Sequence, residues 1–213
     1  MAANVDVYWS FRSPYSYLAT PDMLALADKY NVQVNLRIVL PIAVRAPDFF
    51  NPENAKRGRY IQLDWPRRAE ILGMAHAWPS PDPIVQNLET FEIAKEQPYI
   101  YRLSKLGVEA QRQGKGIEFT AQVSKLLFGG TKDWHLGDHM AQASARAGLK
   151  LEEMERAIDQ GTHLQEIEEN QKQLEQSGHW GVPTYVFNNE PFFGQDRIDL
   201  LCWRLDQHKL KRA

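Results

Sequence analysis

Residues 11–19, F-R-S-P-Y-S-Y-L-A, set two hydroxyls, Ser13 and Ser16, on either side of Pro14 and Tyr15. The stretch follows a strand-like run, V-D-V-Y-W-S, and reads as the first turn of a helix. Small redox proteins carry C-x-x-C at such a junction. Here oxygen stands in place of both sulfurs. Two readings of Ser13 stand side by side. As an N-cap, its oxygen accepts from a backbone N–H of the first turn. As a functional group, its hydroxyl donates to a bound thiolate, and the free N–H groups behind Pro14 favour the same anion. The thiol would be borrowed, because the one cysteine, Cys202, belongs to the last helix.

Two more stretches carry possible chemistry. In G-V-P-T-Y-V-F, residues 181–187, Pro183 opens a strand. A cis bond there would leave the backbone of Val182 free to pair with a peptide-like ligand, as a strand edge does. A trans bond would make Pro183 an ordinary edge-strand proline. In F-F-G-Q-D-R-I-D-L-L, residues 192–201, Gly194 ends a strand and Gln195-Asp196 begin a helix, with Asp196 as the candidate cap. Such a helix start suits a carboxylate, and Asp196 suits an ammonium; together they match an α-amino acid head group. His135 and His139 have i, i+4 spacing, but the Glu of H-E-x-x-H is missing and Gly137 weakens the helix, so no metal site is expected.

The elements that must position these groups follow from the hydrophobic pattern. Residues 4–10 alternate as a strand, 14–30 have helical spacing with Pro21 inside, and 32–40 form a β-branched strand. A right-handed crossover makes the two strands parallel. Residues 42–54 read as a loop. From about 55 to 176 the pattern is mostly helical, including 83–97, broken by the proline-rich 75–83. Tyr60 and Trp65 follow core spacing there. The chain closes with a strand, an Asn188-Asn189 turn, a short partner strand and a helix carrying Ile198, Leu201, Cys202 and Leu205 on one stripe. The order β-α-β, helical block, β-β-α predicts an α/β, thioredoxin-like fold with an inserted all-helical domain. The boundaries are 1–46 and 178–213 for the discontinuous thioredoxin-like part and 47–177 for the insertion.

Composition narrows the function classes. The 213 residues, 43% hydrophobic, suffice for a sizeable core. A net charge of −2 gives no basic footprint for nucleic acid. One cysteine allows neither an internal disulfide nor dithiol exchange. The N-terminus lacks a secretory pattern, and no run of about 18 apolar residues exists, so a cytoplasmic protein without a membrane partner is expected.

S-P-Y-S-Y-L-A, G-V-P-T and F-F-G-Q-D-R, in this order and on this length, resemble the 2-hydroxychromene-2-carboxylate isomerases and the kappa-class glutathione transferases of the DsbA-like branch. The resemblance implies glutathione as cofactor, an aromatic small-molecule substrate and a homodimer. By position, Ser13 meets the glutathione sulfur, and Val182 beside cis-Pro183 pairs with its backbone. Phe193, Gly194, Gln195 and Asp196 hold its γ-glutamyl end. Arg45, Asn51 and Pro52 lie near the second substrate. The implied activity is isomerisation of a conjugated aromatic keto acid through a transient thiol adduct. A transferase conjugating electrophiles, or a non-catalytic binding module, would share the same fold. The chain departs from the isomerase pattern in carrying Arg45 in place of lysine, and P-S-P-D-P where an aromatic contact is implied near residues 79–84.

Overall fold

The structure is a computed structural model that describes residues 3–49, 53, 55–87, 89–90 and 92–212. Four strands, β1 (Ala3–Trp9), β2 (Val32–Ile38), β3 (Thr184–Phe187) and β4 (Glu190–Phe193), form one sheet in the order β2-β1-β3-β4. β1 and β2 are parallel, with Val5 opposite Val34 and Trp9 opposite Ile38. β3 runs antiparallel to β1, and β4 antiparallel to β3. The crossover from β1 to β2 carries α1 (Pro14–Leu18) and α2 (Thr20–Lys29). Pro21 sits in the first turn of α2, where its missing N–H has no cost, so the break falls just before it, at Ala19. The hairpin between β3 and β4 turns through Asn188 and Asn189, at φ 50° and 64°. Both lie in the left-handed region that matches the strand twist and that asparagine tolerates.

Strand alternation sorts the core. Val5, Val7 and Trp9 of β1 are fully buried on one face, in one cluster with Phe11, Phe119, Phe128 and Trp134. The opposite face carries Tyr8, covered together with Val39 by Leu174 of α9 (His163–Gln176). α9 is pinned to the end of β2, where Asn170 donates to the Ile38 carbonyl and Gln171 accepts from Leu40 N–H. Between the two halves run α4 (Ala55–Ile71), α5 (Ile100–Arg112), α6 (Gly116–Phe128), α7 (His139–Arg146) and α8 (Leu151–Gln160). α5 lies so close to the sheet that a Cβ on Gly107 would come within 2.8 Å of Phe11 and 2.9 Å of Ile38.

Three local expectations are corrected. Residues 42–49 hold a short helix, α3 (Ile42–Arg45), and a 3-10 turn, Pro47–Phe49. Within 83–97 the described residues are not helical. The Gln97 amide accepts from Val85 N–H and donates to the Val85 and Ala94 carbonyls, and Ala94 N–H bonds Val85, so the segment doubles back on itself. The last helix, α10 (Ile198–Gln207), begins after Asp196: Arg197 is its N-cap residue, and no side chain caps it.

Candidate functional site

The S-P-Y-S turn opens at the end of β1. Ser13 has extended backbone angles, and its oxygen accepts from Ser16 N–H at 3.1 Å, so the capping reading holds. The same hydroxyl donates across to the Val182 carbonyl at 3.3 Å. Ser16 differs: it is fully buried, and its Oγ has no hydrogen-bond partner among the described residues. The spacing thus turns one hydroxyl toward Val182 and seals the other in the core.

The Val182–Pro183 bond is cis. The loop around it is held on three sides. Thr184 Oγ1 donates to the Gly181 carbonyl, Gly181 N–H donates to His179 Nδ1 at 2.9 Å, and Gly194 N–H donates to the Pro183 carbonyl. Val182 N–H has no acceptor among the described residues. Gly194 makes its turn at φ +113°, where an added Cβ would also meet Asp196 Oδ1 at 2.7 Å.

Ser13 and Val182 line a cleft of about 890 Å³. Four cations, Arg12, Arg45, Lys56 and Arg57, line it, and no Asp or Glu does among the described residues. In a chain of net charge −2 this is a local concentration of positive charge. Arg12 is neutralised by a two-point bond to Asp82, at 2.9 Å each, and lies over the Trp78 ring. Arg45, half-buried, donates among the described residues to the backbone carbonyls of Leu40 and Trp180. Burial pushes its guanidinium down from the usual value, opposed by the Glu175 charge. Arg57 lies 4.6 Å over the Phe49 ring.

The apolar wall continues the same stack. Phe49 and Trp180 have ring centroids 4.8 Å apart, and His179 lies between Trp180 and Phe193, 3.9 Å from the latter. Tyr15 and Tyr60 line the cleft as well, both donating to Asp64, at 2.7 and 3.2 Å. Burial, then the Asp64 bond, pushes the Tyr15 phenol far up. A cationic cleft with aromatic walls suits a planar or conjugated anion.

Of the residues expected in the site, Ser13, Val182, Phe193 and Arg45 line this cleft. Pro183 stands behind Val182, outside the lining, as do Gly194, Gln195 and Asp196. Gln195 is buried and accepts from Arg68 of α4 at 3.1 Å; Asp196 is paired with the neighbouring Arg197. Asn51 and Pro52 lie outside the described residues. Cys202 is half-buried on α10, where burial pushes its thiol up. His135 packs edge-on against Tyr99 and Trp134. Sequence reasoning missed Lys56, Arg57 and Phe49, and Tyr60 is 60% exposed at the cleft, not in the core. The available signal was helical spacing: 56, 57, 60 and 61 share a face of α4. One residue upstream of 79–84, where the resemblance implies an aromatic, Trp78 lines the cleft.

Residues 4–206 match the model of the DSBA-like thioredoxin domain. No curated protein matches the chain. Among solved structures, a 2-hydroxychromene-2-carboxylate isomerase is similar over 96% of this chain and 95% of its own, with a TM-score of 0.69 and 20% identity. A probable DsbA oxidoreductase from Streptomyces coelicolor is similar over 96% and 89%, with a TM-score of 0.64 and 17% identity. The cytosolic disulfide reductase DsbM from Pseudomonas aeruginosa, solved with GSH, is similar over 97% and 100%, with a TM-score of 0.60 and 13% identity. At these identities the likeness is one of fold. No helix among the described residues is long and apolar enough to cross a membrane.

Proposed function

We propose that this chain, which belongs to the DSBA-like thioredoxin domain family, is a glutathione-dependent isomerase of conjugated aromatic keto acids. The observation that carries the reading is the opening of the S-P-Y-S turn into a cationic, aromatic cleft in a chain whose single cysteine lies outside it. Dithiol exchange is closed to such a chain, while chemistry with a borrowed thiol is open.

The residues present fit glutathione. Val182 offers a backbone N–H without an acceptor among the described residues, beside Ser13. Arg45, with no carboxylate bonded to it among the described residues, offers charge to an anion. When bound, glutathione supplies a thiol that adds reversibly to a conjugated carbon and so frees the double bond to turn. The Ser13–Val182 bond, at 3.3 Å, is longer than the usual O–H···O distance and therefore weak. Turned about its own torsion, the Ser13 hydroxyl would donate to a thiolate held at this turn, and that bond would be charge-assisted and stronger. Arg45, Lys56 and Arg57 orient the carboxylate of the substrate, and the Phe49–Trp180–Phe193 wall excludes water from its conjugated part. The protein is then a cytoplasmic small-molecule enzyme, working as a homodimer.

The test is turnover of an arylidene pyruvate, followed by ultraviolet absorbance, with and without glutathione. Isomerised product only when glutathione is present supports the reading. Accumulation of a stable conjugate assigns the transferase activity instead. No consumption of the pyruvate by a protein that binds glutathione would leave a binding module.

A further inference from the structure

Asp64 sits on α4, one turn beyond Tyr60, so the two share a helix face. It receives hydrogen bonds from two phenols that come from different parts of the fold: Tyr15 of the S-P-Y-S turn at 2.7 Å and Tyr60 of its own helix at 3.2 Å. Both tyrosines line the cleft and Asp64 does not. A phenol carries one hydrogen, and a carboxylate only accepts. Both hydrogens are therefore committed to Asp64, and all that either hydroxyl has left to offer a ligand is lone pairs. Their protons are also held firmly. Burial and then the Asp64 bond push Tyr15 up, and the Asp64 bond acts first on Tyr60.

We propose that Asp64 sets the hydrogen-bond polarity of the cleft, making Tyr15 and Tyr60 acceptors, so that this part of the wall selects a ligand that presents a hydroxyl or N–H donor. The inference deepens the functional reading above and rests on the cleft binding an aromatic acid. Lys56 and Arg57 stand about one turn toward the N-terminus of the same helix. Along α4 a ligand thus meets positive charge first and acceptors next. A carboxylate is drawn to the first position and disfavoured at the second, where the phenols offer it no hydrogen and the Asp64 charge stands behind them. A methyl ether of the right shape reaches the same wall but leaves it unpaired. Asp64 is a positioning residue here, acting on the ligand through the two phenols.

The experiment measures binding of the ortho, meta and para hydroxycinnamates and of their methyl ethers to the purified protein, without glutathione. At least one hydroxy isomer is expected to bind about tenfold tighter than its ether. In Asp64→Asn the amide donates to one phenol and turns that hydrogen toward the cleft, so the preference falls to near parity or reverses. A purely structural role for Asp64 would weaken hydroxy and ether forms alike. Ratios within about twofold for every isomer of the wild type, or a preference that survives in Asp64→Asn, would overturn the proposal. If Asp64→Asn fails to fold, Tyr60→Phe and Tyr15→Phe read the same ratio, and the proposal requires at least one of them to lower it. Glutathione binding measured on the same samples keeps the two claims apart. Its absence in the wild type counts against the functional reading, whereas an absent hydroxy preference with glutathione binding intact counts only against the role of Asp64.

Discussion

Two arginines line the cleft into which the S-P-Y-S turn opens, and they do opposite work. Arg12 precedes Ser13 and spends its charge on Asp82 through two parallel hydrogen bonds. Asp82 also accepts from Trp78 Nε1 and Ile84 N–H, so the pair ties the proline-rich connection to the end of β1. Arg45 ends α3, and among the described residues its hydrogen bonds go to carbonyl dipoles, which orient a guanidinium without cancelling its charge. Residue type and distance from the turn therefore do not decide what an arginine is for. The partner decides: a carboxylate makes it a strut, and carbonyls leave it a field source for an anionic ligand.

The comparison breaks first at Asp82. Asp82→Asn removes the charge that holds Arg12, and both side chains are mostly shielded, at 14% and 23% exposure. A stability loss of about 2 kcal/mol is expected in denaturant titration. An unchanged midpoint would mean that Arg12 is no strut. Arg45→Met should reverse the pattern, with the unfolding midpoint nearly kept and affinity for cinnamate reduced about tenfold, equivalent to about 1.4 kcal/mol. Equal affinity in the variant would remove Arg45 from the binding wall. Ser13→Ala loses the cap on Ser16 N–H and should cost about 1 kcal/mol in the same titration.

The smallest effect is one of pH. Burial lowers the His179 imidazole below its ordinary 6.5. The unfolded chain then takes up the proton first on acidification. The contribution is present above about pH 6.5 and is lost as pH falls through the lower folded value. Geometry adds a reason. His179 Nδ1 accepts from Gly181 N–H, and protonation turns that nitrogen into a donor. Binding at the neighbouring Val182 should weaken on the same acid limb, and His179→Asn should flatten it. A limb of the same depth in that variant would assign the titration elsewhere.

Local signals made the sheet and one wall of the cleft readable from sequence. Proline after serine at a strand end marks a helix start, and paired asparagines between short apolar runs mark a hairpin; each acts over a few residues. At Pro183 the residues alone left cis and trans open; the family resemblance implied the cis bond that the structure has, with Ser13 beside Val182. The opposite wall was not readable. Tyr60 and Trp65 both read as core positions of α4, yet five residues apart they stand about 140° from each other round the helix, and Trp65 is 3% exposed and Tyr60 60%. Spacing reports which residues share a face; it does not report whether that face meets core or void. Ile84, Val85 and Ile93 imitate a helix in 83–97, but Gln97 supplies the backbone partners of Val85 from a distance and wins the segment for a turn. Asp196 failed as a cap for a similar reason: it pairs with Arg197, and α10 starts two residues later.

The central claim is that the S-P-Y-S turn holds a thiolate, and thermal unfolding tests it most directly. The purified protein is melted with reduced glutathione or with S-methylglutathione, each on the order of millimolar, over a rising series of pH values. A ligand that binds only the folded state raises the midpoint. The account predicts a rise with both, an excess for the free thiol that grows with pH, and loss of that excess in Ser13→Ala. Equal rises for the two ligands at every pH, or no rise with either, would contradict it.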